Sequence, residues 1–264
     1  MASILSFKRT VITKVSTLFN INLLGTVYAA KGIGLSNDGD KNGENNFLQN
    51  ILPEYIKSAS PICMDVGGNT GYYSTEVIKH FPNANIHIFE PNVNTFKVLQ
   101  KNFAENTQVN LNNLALGNQE ETIDIYTYAD QNTSGHTSAY SGVFTDMHKK
   151  ENILKLNATQ TTLDNYCNKN NISKIDFLKI DVEGHEHKVL QGAAMLIKSN
   201  SIKVIQFEFN EMNVVSRVFL KDFYEVLPNF SFYRLLPSKL LPLGKYDPIN
   251  EVFKIQNIVA ISLT

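Results

Sequence analysis

The sequence predicts an α/β fold in which a doubly wound, mostly parallel sheet carries helices on both faces. Three observations predict it. From about residue 47, short apolar runs of strand length alternate with amphipathic stretches of helix length, the rhythm of a parallel sheet built from crossover units. The first run ends in a glycine turn, "DVGGNTG", and the second ends in Glu90 followed by Pro91. Of two later runs, "KIDFLKID" finishes on Asp181 and "KVIQFEFN" carries Glu208 close to its end. Right-handed crossovers place all these ends on one edge of the sheet.

The elements follow in order. Residues 47–57 read as a helix ending before "SASP". "PICMDVGG" is a buried strand running into the glycine turn, and Tyr72 to His80 is a helix. "ANIHIFEP" is a second strand, stopped by Pro91, which cannot continue a ladder. Residues 94–106 form a helix with Phe96, Leu99 and Phe103 on one stripe. "VNLNNLALG" reads as the third strand.

The rhythm lapses between Asn118 and Asn157. There "TIDIYTY" adds a strand, and "ADQNTSGHTSAYSGVF" is a polar loop too long for an ordinary connection, which points to a lid. "TTLDNYCNKN" is a helix capped by Thr161 or Thr162. "KIDFLKID", a helix from His185 to Lys198, and "KVIQFEFN" restore the alternation. One more helix and closing strands complete the chain. The expected division is an N-terminal helical extension and lead-in over residues 1–46 and one domain over 47–264, with no internal repeat.

Composition narrows the function. A chain of 264 residues with 43% apolar content can bury a substantial core. A net charge of −1 excludes a strongly basic nucleic-acid binder. Cys63 and Cys167 stand apart with no CxxC spacing, so neither a disulfide framework nor a zinc site is expected, and a reducing cytoplasm is. No apolar run approaches the roughly 20 residues of a membrane span. The N-terminus lacks the continuous apolar core and cleavage site of a signal peptide. Within it Ile12, Val15, Leu18 and Phe19 recur at helical spacing, with Lys8, Arg9 and Lys14 among them. That pattern fits a helix packed on the domain. It also fits a basic amphipathic contact with a membrane surface or a second subunit, a homodimer in the latter case.

The glycine turn reads Asp65-x-Gly67-Gly68-Asn69-x-Gly71 at a strand-to-helix junction. Glycines let the backbone turn sharply and approach a ligand, while the following helix offers unpaired N–H groups. A dinucleotide fingerprint needs a third glycine where Tyr72 stands, so NAD and FAD are disfavoured. No lysine follows Gly71, so a triphosphate is not held as in a P-loop. Glu90, about twenty residues on, is placed to take both hydroxyls of a ribose. An adenosine without phosphates fits best, and S-adenosylmethionine is such a ligand. The bland alternative is a turn whose glycines only relieve strain.

"DVGGNTGYYS", "FEPNVNTFKVLQKN", "NLALG" and above all "LKIDVEGHEHKVLQGA" resemble the FkbM family of S-adenosylmethionine-dependent methyltransferases, in order and in spacing. "GIGLSNDGDKNGENNFL" resembles the family's lead-in, and the likeness covers roughly residues 32–210. Asn69 replaces a second turn glycine. The resemblance implies a class I methyltransferase (Rossmann-like) fold, S-adenosyl-L-methionine as cofactor, and O-methylation of a sugar hydroxyl in polysaccharide or glycan biosynthesis of the capsule or O-antigen type. A small secondary metabolite is the alternative acceptor, and a non-catalytic nucleoside-binding module is the alternative from another class. The cofactor set so expected is Asp65, Gly67, Gly68, Asn69, Gly71, Tyr73, Glu90, Pro91, Asn92, Asn113, Ala115, Leu116 and Asp181. By the same resemblance, an adenine stacks where Asn113 to Leu116 lie.

Chemistry is expected from Asp181, Glu183, His185 and Glu208. A sugar hydroxyl is a poor nucleophile, so a carboxylate or imidazole beside it must manage its proton. On an extended segment Asp181 and Glu183 point the same way. His185 opens a helix whose positive end keeps the imidazole neutral. Asp181 or His185 is the expected base, with Glu183 and Glu208 orienting the acceptor. Asp181 as a mere helix cap and a divalent cation on the four groups are the weighed alternatives; no metal is expected. Glu186 and His187 are read as facing solvent. Ser134, His136, Ser138 and Tyr140 on the long loop are the expected acceptor contacts, and a surface loop with no role is the alternative.

Overall fold

The computed structural model describes residues 2–36, 38–129, 137–149 and 152–264. Two helices, α1 (Ala2–Leu18) and α2 (Leu23–Ala30), precede a lead-in of short turns. Strand β1 (Ile62–Val66), helix α3 (Tyr72–His80), β2 (Asn85–Phe89), α4 (Val93–Asn102) and β3 (Val109–Asn112) then follow the expected alternation. A second, four-stranded sheet interrupts it: β4 (Ala115–Leu116), β5 (Glu121–Tyr128), β6 (Thr137–Ser138) and β7 (Ile153–Thr161). The alternation resumes with α5 (Leu163–Lys169), β8 (Ile175–Ile180), α6 (Glu186–Gln191), α7 (Ala194–Lys198) and β9 (Ile202–Phe209). It ends on α8 (Leu220–Val226), β10 (Phe230–Leu236), β11 (Lys239–Pro242) and β12 (Gln256–Ser262).

The main sheet has the order β11-β10-β12-β9-β8-β1-β2-β3. Its five strands from β9 to β3 are parallel, and β12, β10 and β11 are antiparallel. Side chains alternate between two cores. Met64, Val66, Leu178 and Ile180 enter one, while Cys63 and Phe177 enter the other. A strand buried on both faces therefore reads as a continuous apolar run, and each large side chain so buried contributes about 1.5–3 kcal/mol. Phe207 and Phe209 are wholly buried, as core residues should be.

The structure departs from the sequence reading at four places. The third strand splits after Asn112, because Asn113 Nδ2 donates to the carbonyls of Glu90 (2.8 Å) and Pro91 (3.1 Å) and turns the chain. Ala115 and Leu116 then pair with β7 instead. Strand β7 itself was unforeseen; it pairs antiparallel with β5 from Glu121↔Gln160 to Tyr128↔Ile153. The helix expected over His185 to Lys198 is two helices. Gly192 lies so close to the carbonyl of Gly117 that a Cβ there would overlap it, and the chain bends at this contact.

The N-terminal helices are the fourth departure. Of residues 8–30 only Ser16 is buried, so α1 from Lys8 onward is not packed on the domain. The lead-in, by contrast, is: Ile33 is buried, and Gly43 (φ 95°) lies against the backbone of Leu236 and Pro237. Of the described residues, no helix is long and apolar enough to cross a membrane.

Candidate functional site

Where β1 and β8 end side by side, their connections diverge and leave a cavity of about 310 Å³ at the carboxyl edge of the sheet. This is where open α/β sheets bind ligands. The glycine turn forms its floor. Gly67 has φ 83° and a Cβ there would overlap the Asp181 carbonyl; a Cβ on Gly68 would overlap Ile88. Asn69 also takes the left-handed region, φ 50°, which asparagine tolerates better than most residues. That is why it can stand in place of a glycine. Gly71 (φ 91°) precedes α3 against Phe103, behind the cavity wall.

Glu90 closes one side. It is 4% exposed, and its two carboxylate oxygens accept the backbone N–H of Asn69 (3.1 Å) and Asn92 (2.8 Å). Burial pushes its pKa up to about 7, against the opposing effect of those amides. Phe89, Pro91, Leu114, Ala115, Leu116, Ile123 and Ile125 make an apolar wall beside it. Asp65 accepts from Ser74 Oγ at 2.6 Å, and burial raises its pKa. Asn92 and Asn113 sit one layer back. Asn92 caps α4, and Asn113 braces the backbone that carries Glu90 and Pro91.

Opposite stand the acidic groups. Asp181, Glu183, His185 and Glu208 line the same cavity as the glycine turn. The segment after β8 is not extended, however. Glu183 (φ 53°) and Gly184 (φ 101°) form a left-handed turn, so simple alternation does not set the direction of Asp181 and Glu183. Glu186 holds that turn together. It is 1% exposed, and its Oε1 accepts the N–H of Val182 (3.0 Å) and Gly184 (3.1 Å). The expectation that Glu186 and His187 face solvent is thus corrected: Glu186 is interior, and His187 lies edge-on to Phe223.

His185 is held at both ring nitrogens. Gln160 Nε2 donates to the Gln119 carbonyl at 3.0 Å, which leaves Gln160 Oε1 to accept from His185 Nε2–H at 3.1 Å. His185 Nδ1 then accepts from the Tyr140 hydroxyl at 3.3 Å. Its pKa is lowered to about 4, chiefly by burial and further by Lys188. The imidazole is neutral for that reason, and the short α6 is not needed to explain it. Tyr140 therefore meets His185 and not the cavity, whereas Ser138 lines the cavity and donates to the Glu183 carbonyl at 2.8 Å. Ser134 and His136 lie outside the described residues.

Two groups went unnoticed in the sequence. Lys179, 4% exposed, rises from β8 beneath the cavity and pairs with Asp181 at 2.9 Å, its ammonium 5.0 Å from the centroid of the Tyr73 ring. Burial alone would lower its pKa, but Asp181, Glu44 and Asp65 more than offset that. Glu44 comes from the lead-in and accepts from Gln206 Nε2 at 2.8 Å, while Gln206 Oε1 accepts from Tyr73 at 2.6 Å. Glu208 accepts from Asn210 Nδ2, and burial together with Asp181 and Glu183 raises its pKa well above the carboxylate range. A smaller cavity of about 140 Å³ adjoins the first and shares Glu44, Asp181, Glu208 and Ile255 with it. Among the described residues, no group of three or more His, Cys, Asp or Glu side chains is placed to hold a metal ion.

No curated protein sequence matches the chain. A solved FkbM methyltransferase from Methylobacillus flagellatus KT is similar at 11% identity and a TM-score of 0.47, over 83% of this chain and 48% of the other. The chain thus spans about half the length of that relative. A precorrin-6y C5,15-methyltransferase from Geobacter metallireducens GS-15 is similar at 10% identity and a TM-score of 0.42, over 83% and 87% of the two chains. An rRNA methylase from Streptococcus thermophilus is similar at 10% identity and a TM-score of 0.42, over 84% and 95%. The family described as the methyltransferase FkbM domain matches residues 65–232, a span that runs from the glycine turn through the acidic edge to β10. With that match over most of the chain and the class I methyltransferase fold beneath it, the chain belongs to the FkbM methyltransferase family.

Proposed function

We propose that the chain transfers a methyl group from S-adenosylmethionine to a hydroxyl oxygen, the acceptor being a saccharide in polysaccharide or glycan assembly. One observation carries the reading. The glycine turn with Glu90 and the group Asp181, Glu183, His185 and Glu208 face each other across one cavity. When bound, the cofactor supplies an electrophilic methyl on a sulfonium sulfur; the rest falls to the chain. Glu90 would hold the ribose hydroxyls, the wall from Leu114 to Leu116 the adenine, and the Gly67–Asn69 backbone the amino-acid end.

The acceptor enters from the smaller cavity, whose lining includes Ser36, Asn42, Gln256 and Asn257, polar groups suited to a polyol more than to an apolar metabolite. Asp181 stands at the junction of the two cavities, where it would accept the proton of the acceptor hydroxyl as that oxygen becomes methylated. Glu208, its pKa raised by burial and by Asp181 and Glu183, hydrogen-bonds a neighbouring acceptor hydroxyl. His185, with both nitrogens already engaged, positions Tyr140 and the loop. The decisive test is incubation with labelled S-adenosylmethionine and a panel of nucleotide sugars and glycan extracts, followed by mass spectrometry. Label on carbon or nitrogen, or on no saccharide at all, sinks the acceptor assignment.

Two binding results are expected. S-adenosylhomocysteine at a hundred times its Kd should stabilise the fold by about 2.7 kcal/mol, moving Tm up by about 5–10 °C, while NAD leaves Tm unchanged. An equal shift with NAD would contradict the glycine-turn argument. The second concerns pH. Glu90 has a folded pKa near 7, above its ordinary 4.5, so in the ligand-free protein its contribution to stability is present at low pH and lost as pH rises through 7. A ribose held by two hydroxyls favours the carboxylate. Nucleoside affinity should therefore weaken by up to about tenfold per pH unit below 7 and level off above. Calorimetric titration across this range checks it, and Glu90→Gln should abolish the slope.

A further inference from the structure

The two N-terminal helices present an apolar surface that the rest of the fold does not use. Val11, Ile12, Val15, Leu18, Phe19, Ile21, Leu23, Leu24 and Val27 are all exposed, Leu18 at 78% and Phe19 at 68%. The most exposed of them cluster where α1 turns into α2, so the pair ends in an apolar tip. Behind the tip lie Lys14, Arg9 and Lys8, exposed and in no ion pair among the described residues, and Lys31 follows α2. No acidic residue occurs before Asp38. Four cations, no anion and an exposed apolar tip occupy one contiguous stretch of chain.

We infer that this helical pair is a docking element for an anionic membrane surface: the tip from Leu18 to Leu24 enters the headgroup boundary and Lys8, Arg9 and Lys14 meet lipid phosphates. Amphipathic helices with cations beside an apolar stripe lie in the interfacial plane in this way. Anionic lipid attracts each nearby Lys or Arg. The competing occupant, the same element of a second copy, fits poorly. Symmetric pairing would bring the four cations of each copy into one interface, with no carboxylate in the element to neutralise them. Position adds a reason. The chain leaves α2 and within a few residues Gly32, Leu35 and Ser36 line the smaller cavity, so a docked tip keeps that cavity next to the bilayer.

The test is co-flotation of the full chain with vesicles of phosphatidylcholine alone and of phosphatidylcholine mixed with phosphatidylglycerol. Binding is expected to the mixed vesicles and to weaken as salt is raised. Lys8→Gln, Arg9→Gln and Lys14→Gln together should lower partitioning by on the order of a hundredfold, and Leu18→Glu with Phe19→Glu should abolish it. These side chains are exposed, so the variants should keep the wild-type unfolding temperature, which a melting curve verifies. Absence of flotation with mixed vesicles at low salt, or binding indifferent to the Leu18 and Phe19 substitutions, overturns the proposal. So does sedimentation showing a dimer that Leu18→Glu with Phe19→Glu splits while vesicles capture nothing.

Discussion

Asp181→Asn should lower methyl transfer by on the order of 10²–10⁴-fold, the usual range for removing a positioned proton acceptor, with S-adenosylhomocysteine still bound. The substitution keeps an oxygen that can accept from Lys179, and the side chain is 38% exposed at the cavity junction, so the fold should tolerate it. His185→Asn is the informative companion. His185 spends Nε2–H on Gln160 and its Nδ1 lone pair on Tyr140, which leaves no nitrogen to take the acceptor's proton without rearrangement. Its loss should loosen the loop around Tyr140 and raise KM for the acceptor more than it lowers kcat. Single-turnover rates for both variants separate the roles. A collapsed rate for His185→Asn beside a near-normal one for Asp181→Asn would exchange the assignments.

What the sequence disclosed follows from where side-chain periodicity is informative. Strands β1, β2, β8 and β9 are buried on both faces, and such strands announce themselves as apolar runs. Their acidic ends are equally visible, because a carboxylate straight after an apolar run breaks the pattern. Strand β7 was missed for the opposite reason. "ILKLNATQT" is half-exposed and mixes Lys, Asn and Gln with its apolar residues, so it resembles a loop until β5 is laid beside it. The break at Gly192 depends on Gly117, a contact across 75 positions of sequence, and no local pattern encodes it.

The site shows the same division. Gly67, Asn69 and Glu90 were legible because backbone chemistry at a strand end demands them locally. Glu186 and Lys179 were not. On a helical wheel Glu186 looks like a surface residue; only the left-handed turn at Glu183 and Gly184 gives its carboxylate two backbone amides to accept. The lead-in residue Glu44 reaches the cavity through Gln206, 162 positions away, a partnership that local reading cannot supply.

Lys179→Met is the substitution expected to cost most stability, roughly 1–3 kcal/mol once the solvent exposure of its partner Asp181 is allowed for. The ammonium is buried beneath the cavity, where it pairs with Asp181 and offsets the charges of Asp65 and Glu44. Methionine fills nearly the same space, so packing is conserved and the loss is electrostatic: carboxylates facing one another with no cation between them. The sign of the pH dependence tests this. Asp65 already has a raised pKa, from burial, which Lys179 partly offsets; without Lys179 it rises further. A group with a raised folded pKa stabilises below its unfolded value and loses that contribution as pH rises through the folded one. Chemical denaturation should therefore show the variant closest to wild type in mild acid and progressively weaker toward neutrality. A penalty independent of pH would mean that Lys179 acts by packing on Tyr73, and the carboxylate edge would then hold its charges without a buried counter-ion.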